Sequence, residues 1–100
     1  MFIHTVYFWL SDAADENIKK RMLADCTELL SKIPGVRHVW AGVPAMTPRD
    51  VCDNSYTIGL CVALDDSKTQ DEYQVHPLHL EFVEKVFKPN CHRVVVYDFE

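Results

Sequence analysis

The chain has 100 residues, 48% of them hydrophobic and eleven aromatic, and ten Lys and Arg stand against fifteen Asp and Glu for a formal charge of −5. That length allows one domain, 1–100, with a single small core and a wet surface; the apolar supply exceeds what such a core absorbs, so part of it is expected to meet a partner subunit. The acidic balance, with Lys19-Lys20-Arg21 the only basic cluster, excludes the basic stripe that nucleic acid or anionic lipid requires, and no apolar run is long enough to span a bilayer.

No basic segment followed by an apolar run marks a secretory signal, and Cys26, Cys52, Cys61 and Cys91 lie far apart without Cys-x-x-Cys spacing. This is the pattern of a cytoplasmic protein with reduced, mostly buried thiols. A zinc site or a reactive thiol is the alternative reading of the cysteines.

Phe2 to Leu10 alternates with a period of two in aromatic and β-branched residues, which predicts a strand apolar on both faces. Ser11-Asp12 then supplies capping oxygens, Asp15 and Glu16 favour a first turn, and Ile18, Met22, Cys26, Leu29, Leu30 and Ile33 recur at helical spacing until Pro34-Gly35. A second strand is predicted over 36–43, with Val39 and Ala41 on one side and Val36, His38 and Trp40 on the other. A polar connection, 44–54, leads to a third strand over 55–64.

Asp65-Asp66-Ser67 caps a short helix toward Tyr73, and Pro77 suits the first position of another, because its missing N–H would have no partner there. Leu78, Phe82, Val83, Val86 and Phe87 form its apolar stripe, Lys88-Pro89-Asn90 breaks it, and 93–99 makes the last strand. The order strand, helix, strand, strand, helix, strand is that of an α+β ferredoxin-like antiparallel sheet with its helices on one face. The other face, with Ile3, Tyr7, Trp9, Val95, Tyr97 and Phe99, needs a cover, and a second copy of the same sheet is the simplest one. A homodimer through the sheet face is therefore expected.

The chemistry of the chain concentrates in Tyr73-Gln74-Val75-His76-Pro77-Leu78-His79, where a phenol and two imidazoles surround a turn that enters an apolar helix. His79 precedes Phe82, Val83 and Val86 by three, four and seven residues, which puts it on the face turned toward the sheet. A partly buried, neutral imidazole beside a phenol suits a general base, with Tyr73 to orient it or donate to a developing oxyanion. The same two side chains serve equally well to hold the helix start. His76, before a proline, is driven out of helical geometry and suits a cap. His76 and His79 alone make a weak metal pair without further ligands, so no metal and no cofactor is expected; His38 and His92 read as surface residues. A pocket between helices and sheet, lined by Val6, Phe8, Met22, Leu60, Phe82 and Val83, would take a small hydrophobic or aromatic molecule. Alternation alone leaves open whether His4 faces that pocket or the dimer interface.

The opening Ile3-His4-Thr5-Val6, the corner Ile33-Pro34-Gly35-Val36, the stretch Tyr73 to Val83 and the closing Val94-Val95-Val96-Tyr97-Asp98-Phe99 resemble the stress-responsive A/B barrel (Dabb, dimeric α/β barrel) family over nearly the whole chain. The resemblance implies a ferredoxin-like subunit that pairs into a dimeric α/β barrel, with no established activity for most members. A more distant resemblance is to one plant relative, the polyketide cyclase that makes olivetolic acid. It uses the tyrosine and second histidine of the motif, here Tyr73 and His79, in an aldol condensation, which implies catalytic roles for both and places His4 in the pocket. That cyclase has a further histidine on its third strand where this chain has Ile58, so its pocket is not reproduced. Two functions stand side by side: a ligand-binding dimer, and a cofactor-independent enzyme for cyclisation, isomerisation or related proton transfer.

Overall fold

A computed structural model describes all 100 residues. Its four strands, β1 (Phe2–Leu10), β2 (Val36–Gly42), β3 (Ile58–Leu64) and β4 (Cys91–Phe99), form one antiparallel sheet in the order β2-β3-β1-β4. The helices α1 (Glu16–Leu30) and α2 (Ser67–Val75) and a helical rod over 77–90 pack on one face of it. This is the ferredoxin-like architecture that the element order implies.

The alternation of β1 translates directly into burial. His4, Val6 and Phe8 point to the helices and are buried, while Ile3, Thr5, Tyr7 and Trp9 point away. Ile58, Leu60, Val62 and Leu64 of β3 join them across the ladder, each below 5% exposed. The third strand begins at Ile58 rather than at 55, because Thr57 leaves the regular ladder. Its N–H donates to the Phe8 carbonyl, and its hydroxyl accepts from the Leu10 N–H.

In β2 the register shifts between Val36 and His38, so Val36 lies on the core side with Val39 and Ala41, and not with His38 and Trp40 as strict alternation predicts. The cap of α1 is Asp15, whose Oδ1 accepts from the Ile18 N–H at 2.9 Å, rather than Ser11-Asp12. Ser11 is engaged elsewhere, its N–H donating to the Asn90 carbonyl. After α1, Gly35 adopts φ +87°, and a Cβ there would run into Thr69 Cγ2, so both backbone and packing call for glycine.

The rod opens with α3 (Pro77–Glu81), widens into a π-helical segment (Phe82–Phe87), and closes with α4 (Lys88–Asn90). Lys88-Pro89-Asn90 therefore extends the helix, contrary to the break expected from its proline. In a regular helix the Pro89 ring would crowd the carbonyl four residues earlier; here the preceding turn is already wide, with the Lys88 N–H reaching back to Val83. Phe82 and Phe87 both meet Phe8 edge to face, at centroid distances of 6.1 and 5.4 Å.

Only 16 of the 100 residues are buried, which leaves much apolar surface uncovered. On the face away from the helices Tyr7 packs against Tyr56 and Tyr97, Arg93 lies over Trp9, and Tyr97 and Phe99 remain more than 60% exposed.

Candidate functional site

The rod lies against β1, leaving Val94 and Val96 on the helix-side face of β4 exposed. Between the rod, α2 and the β1–β4 pair is a cavity of about 370 Å³. Val6, Phe8, Leu60, Phe82, Val83, Phe87, Val94 and Val96 form its apolar wall; the polar side chains on it are those of His4, Gln70, Tyr73, Gln74, His79 and Asp98.

The break between α2 and α3 positions the motif. His76 caps both helix ends, with extended backbone, and its Nδ1 accepts from the Leu78 N–H at 3.1 Å, which fixes its side chain at the helix start as the following proline suggests. Tyr73 at the end of α2 and His79 in α3 then face each other with ring centroids 4.7 Å apart. Since a carbonyl can only accept, His79 Nδ1–H donates to the Gln74 oxygen at 3.0 Å, leaving Nε2 as a free lone pair. Burial, opposed by that hydrogen bond and assisted by nearby His4, lowers the His79 pKa from the ordinary 6.5 and favours the neutral ring.

Tyr73 is 1% exposed, and burial above all pushes its phenol well above the ordinary 10.0, so it is a proton donor and not a phenolate. His4 meets it from the sheet, with centroids 5.8 Å apart. His4 Nδ1–H donates to Asp98 Oδ1 at 2.6 Å, across the β1–β4 ladder that pairs the two residues. The phenol thus stands between two imidazoles, each held by its Nδ1, an arrangement able to pass a proton and to meet a developing oxyanion.

His4, Val6, Phe8, Leu60, Tyr73, His79, Phe82 and Val83 line one cavity together. Met22 does not join them: α1 packs toward β2, β3 and the π-helical segment, and Met22 is buried there at a separate cleft with Arg21, Asp25 and Lys85. Ile58 is fully buried in the core and lines none of this cavity. Of the cysteines only Cys26 is buried, fewer than expected, and burial raises its thiol to about 12 and that of Cys91 to about 11, so neither offers a thiolate. Asp98 and Gln70 were not anticipated. Asp98 is signalled by a carboxylate interrupting the alternate positions Val94 and Val96, and Gln70 by its place one helical turn before Tyr73.

A second cavity of about 400 Å³ lies on the opposite face of the sheet, among Tyr7, Trp9, Tyr56, Arg93, Val95 and Tyr97. It contains no histidine and belongs to the exposed aromatic face.

Fold and cavity together define a ferredoxin-like α+β protein with a histidine- and tyrosine-bearing pocket between its layers. The chain belongs to the Stress responsive A/B Barrel Domain (Dabb) family, whose pattern matches residues 2–100. It is similar in structure to a Dabb family protein with a ferredoxin-like fold from Mesorhizobium loti, 29% identical, with a TM-score of 0.82 over 99% of this chain and 94% of that one. A dimeric ferredoxin-like protein of unknown function from Thermobifida fusca is 18% identical, with a TM-score of 0.82 over 98% and 88% of the two chains. The hydroxynitrile lyase from Passiflora edulis is 20% identical, again with a TM-score of 0.82, over 98% and 90%. For these last two the likeness is one of fold.

Proposed function

We propose that this protein is a homodimer whose subunits each bind a small hydrophobic or aromatic molecule in the pocket between helices and sheet. The observation that carries the reading is the cavity itself. Its volume of about 370 Å³ falls within the range of small-molecule sites, and its apolar wall meets a limited set of polar groups, the usual division between affinity and orientation. Native mass spectrometry of freshly purified protein tests it: a dimer with extra mass that is lost on denaturation supports the reading. A bare protein that no hydrophobic or aromatic compound shifts overturns it.

The dimer is proposed through the sheet face. Tyr97 and Phe99 there are 63% and 62% exposed, an apolar surface of the kind that marks an interface, and fold neighbours such as the Thermobifida fusca protein are dimeric. A cytoplasmic location is proposed on the four unpaired cysteines. No helix is long and apolar enough to cross a membrane.

The free Nε2 and lowered pKa of His79 favour a second reading, a cofactor-independent proton transfer such as aldol cyclisation or isomerisation of a carbonyl compound. His79 Nε2 takes the proton beside the carbonyl, and Tyr73 donates a hydrogen bond to the oxygen that gains charge. The proton held on Nε2 is then returned to the product. Loss of turnover in His79→Ala with dimer and ligand affinity retained supports this reading; a loss confined to melting temperature overturns it.

A further inference from the structure

Among the polar side chains of the pocket, Gln70 alone has an oxygen that is both buried and unpartnered. The residue is 8% exposed, and Oε1 accepts no hydrogen bond. Gln70 is regular helix at the backbone, its N–H donating to the Asp66 carbonyl, so the side chain caps nothing. A buried carbonyl oxygen without a donor opposes folding, and most such groups in proteins are satisfied. The residue that carries it lines the same cavity as Tyr73 and His79.

His79 has committed its Nδ1–H to Gln74 and presents a lone pair at Nε2, and Asp98 is engaged by His4. No lysine or arginine lines the cavity, while a carboxylate does. An anionic ligand would bring its charge beside Asp98 and Gln70 Oε1 with no permanent cation to meet it. The wall has three phenylalanines, Phe8, Phe82 and Phe87, and at the packing density of protein interiors the cavity accommodates roughly 270 Å³ of ligand, an aromatic ring with room for a second ring or a chain.

We infer that Gln70 is the specificity-determining residue of this pocket, selecting an uncharged aromatic compound whose hydroxyl hydrogen is received by Gln70 Oε1. The inference rests on the pocket's being a ligand site. It deepens that reading by assigning the ligand class and the group that recognises it. Gln70 acts in selection, so its role is the same whether the bound compound is stored or transformed.

The test compares 4-ethylphenol, its methyl ether and 4-ethylbenzoate by titration calorimetry on the full chain, wild type and Gln70→Leu, with Gln70→Met as a second variant of similar length. Thermal melting of the ligand-free proteins accompanies each titration. The wild type is expected to favour the phenol over the ether by about tenfold, the contribution of one hydrogen bond, and to reject the benzoate. The variants are expected to melt at or above the wild-type temperature, because an unsatisfied buried oxygen is gone, and to bind phenol and ether alike. Equal binding of phenol and ether by the wild type overturns the role of Gln70 while the pocket stands. Lower melting of both variants with the preference for phenol intact likewise overturns it and makes the residue structural. If neither neutral compound binds the wild type, the ligand-site reading falls and this inference with it.

Discussion

His4 Nδ1 and Asp98 Oδ1 stand 2.6 Å apart although 94 positions separate them in the chain. The β1–β4 ladder brings them opposite each other, so the two ends of the sequence jointly build one wall of the pocket. Asp98→Ala leaves the His4 N–H buried without its acceptor and is expected to cost about 1–3 kcal/mol. Asp98→Asn keeps an acceptor oxygen and should cost less than about 1 kcal/mol, since the carboxylate is more than a third exposed. Urea unfolding of the two variants separates these outcomes.

Tyr73→Phe keeps the buried ring and removes only the hydroxyl, for which the chain provides no hydrogen-bond partner. Stability should change by less than about 1 kcal/mol. If the proton-transfer reading holds, turnover should fall by roughly 10²–10⁴, the usual contribution of a positioned acid or base. Steady-state kinetics alongside melting curves give both quantities from the same samples.

The lowered pKa of His79 has a definite sign in stability. An unfolded imidazole takes up a proton near 6.5, while the half-buried native ring resists it, so the unfolded state binds more protons between the two values. Stability is expected to fall as pH drops below about 7 toward the folded pKa. His79→Gln should flatten this dependence, which melting temperatures from pH 7.5 to 5.5 would reveal. The acid limb of any rate profile that depends on the neutral ring should lie below 6.5.

Tyr97→Asp places a carboxylate in the exposed aromatic face, opposite Thr5 and beside Tyr7. Because that side chain takes no part in the core, the subunit should stay folded while a dimer formed through this face dissociates. Sedimentation velocity at micromolar concentration is the measurement; an unchanged dimer would move the interface elsewhere.

Leu30 is fully buried beneath the sheet, and Leu30→Ala should cost about 2–5 kcal/mol through lost transfer energy and the cavity left behind. Chemical denaturation checks the magnitude, and the pocket should keep its ligand preference in the surviving folded fraction.

Much of the architecture can be read from periodicity. β1 alternates cleanly, the stripe of the rod is helical, and Tyr73, His76, Pro77 and His79 mark the helix break by their own chemistry. Where the reading fails, a non-local effect is responsible. The face of Val36 depends on a register shift against β3, and the continuation past Lys88 depends on a widened turn that tolerates Pro89. Met22 has the right spacing for a buried helix face, but spacing does not say which strands that helix covers. Asp98 becomes a pocket residue only once β4 pairs with β1, and Gln70 on a short polar helix reads as a solvated side chain until α2 is packed against the sheet.

The π-helical segment also sets how chain length maps onto shape. In an α-helix, residues five apart point about 140° away from each other, yet Phe82 and Phe87 both reach Phe8 because the segment holds one residue more than a tight turn would. Wound as a regular α-helix the same residues would swing one phenylalanine off its partner, whereas excising a single residue between them would leave both on one face of a tighter, shorter rod. The contour of the binding cavity is thus encoded here by a count of residues, and a sequence that conserved every side-chain type but lost one position would enclose a differently shaped space.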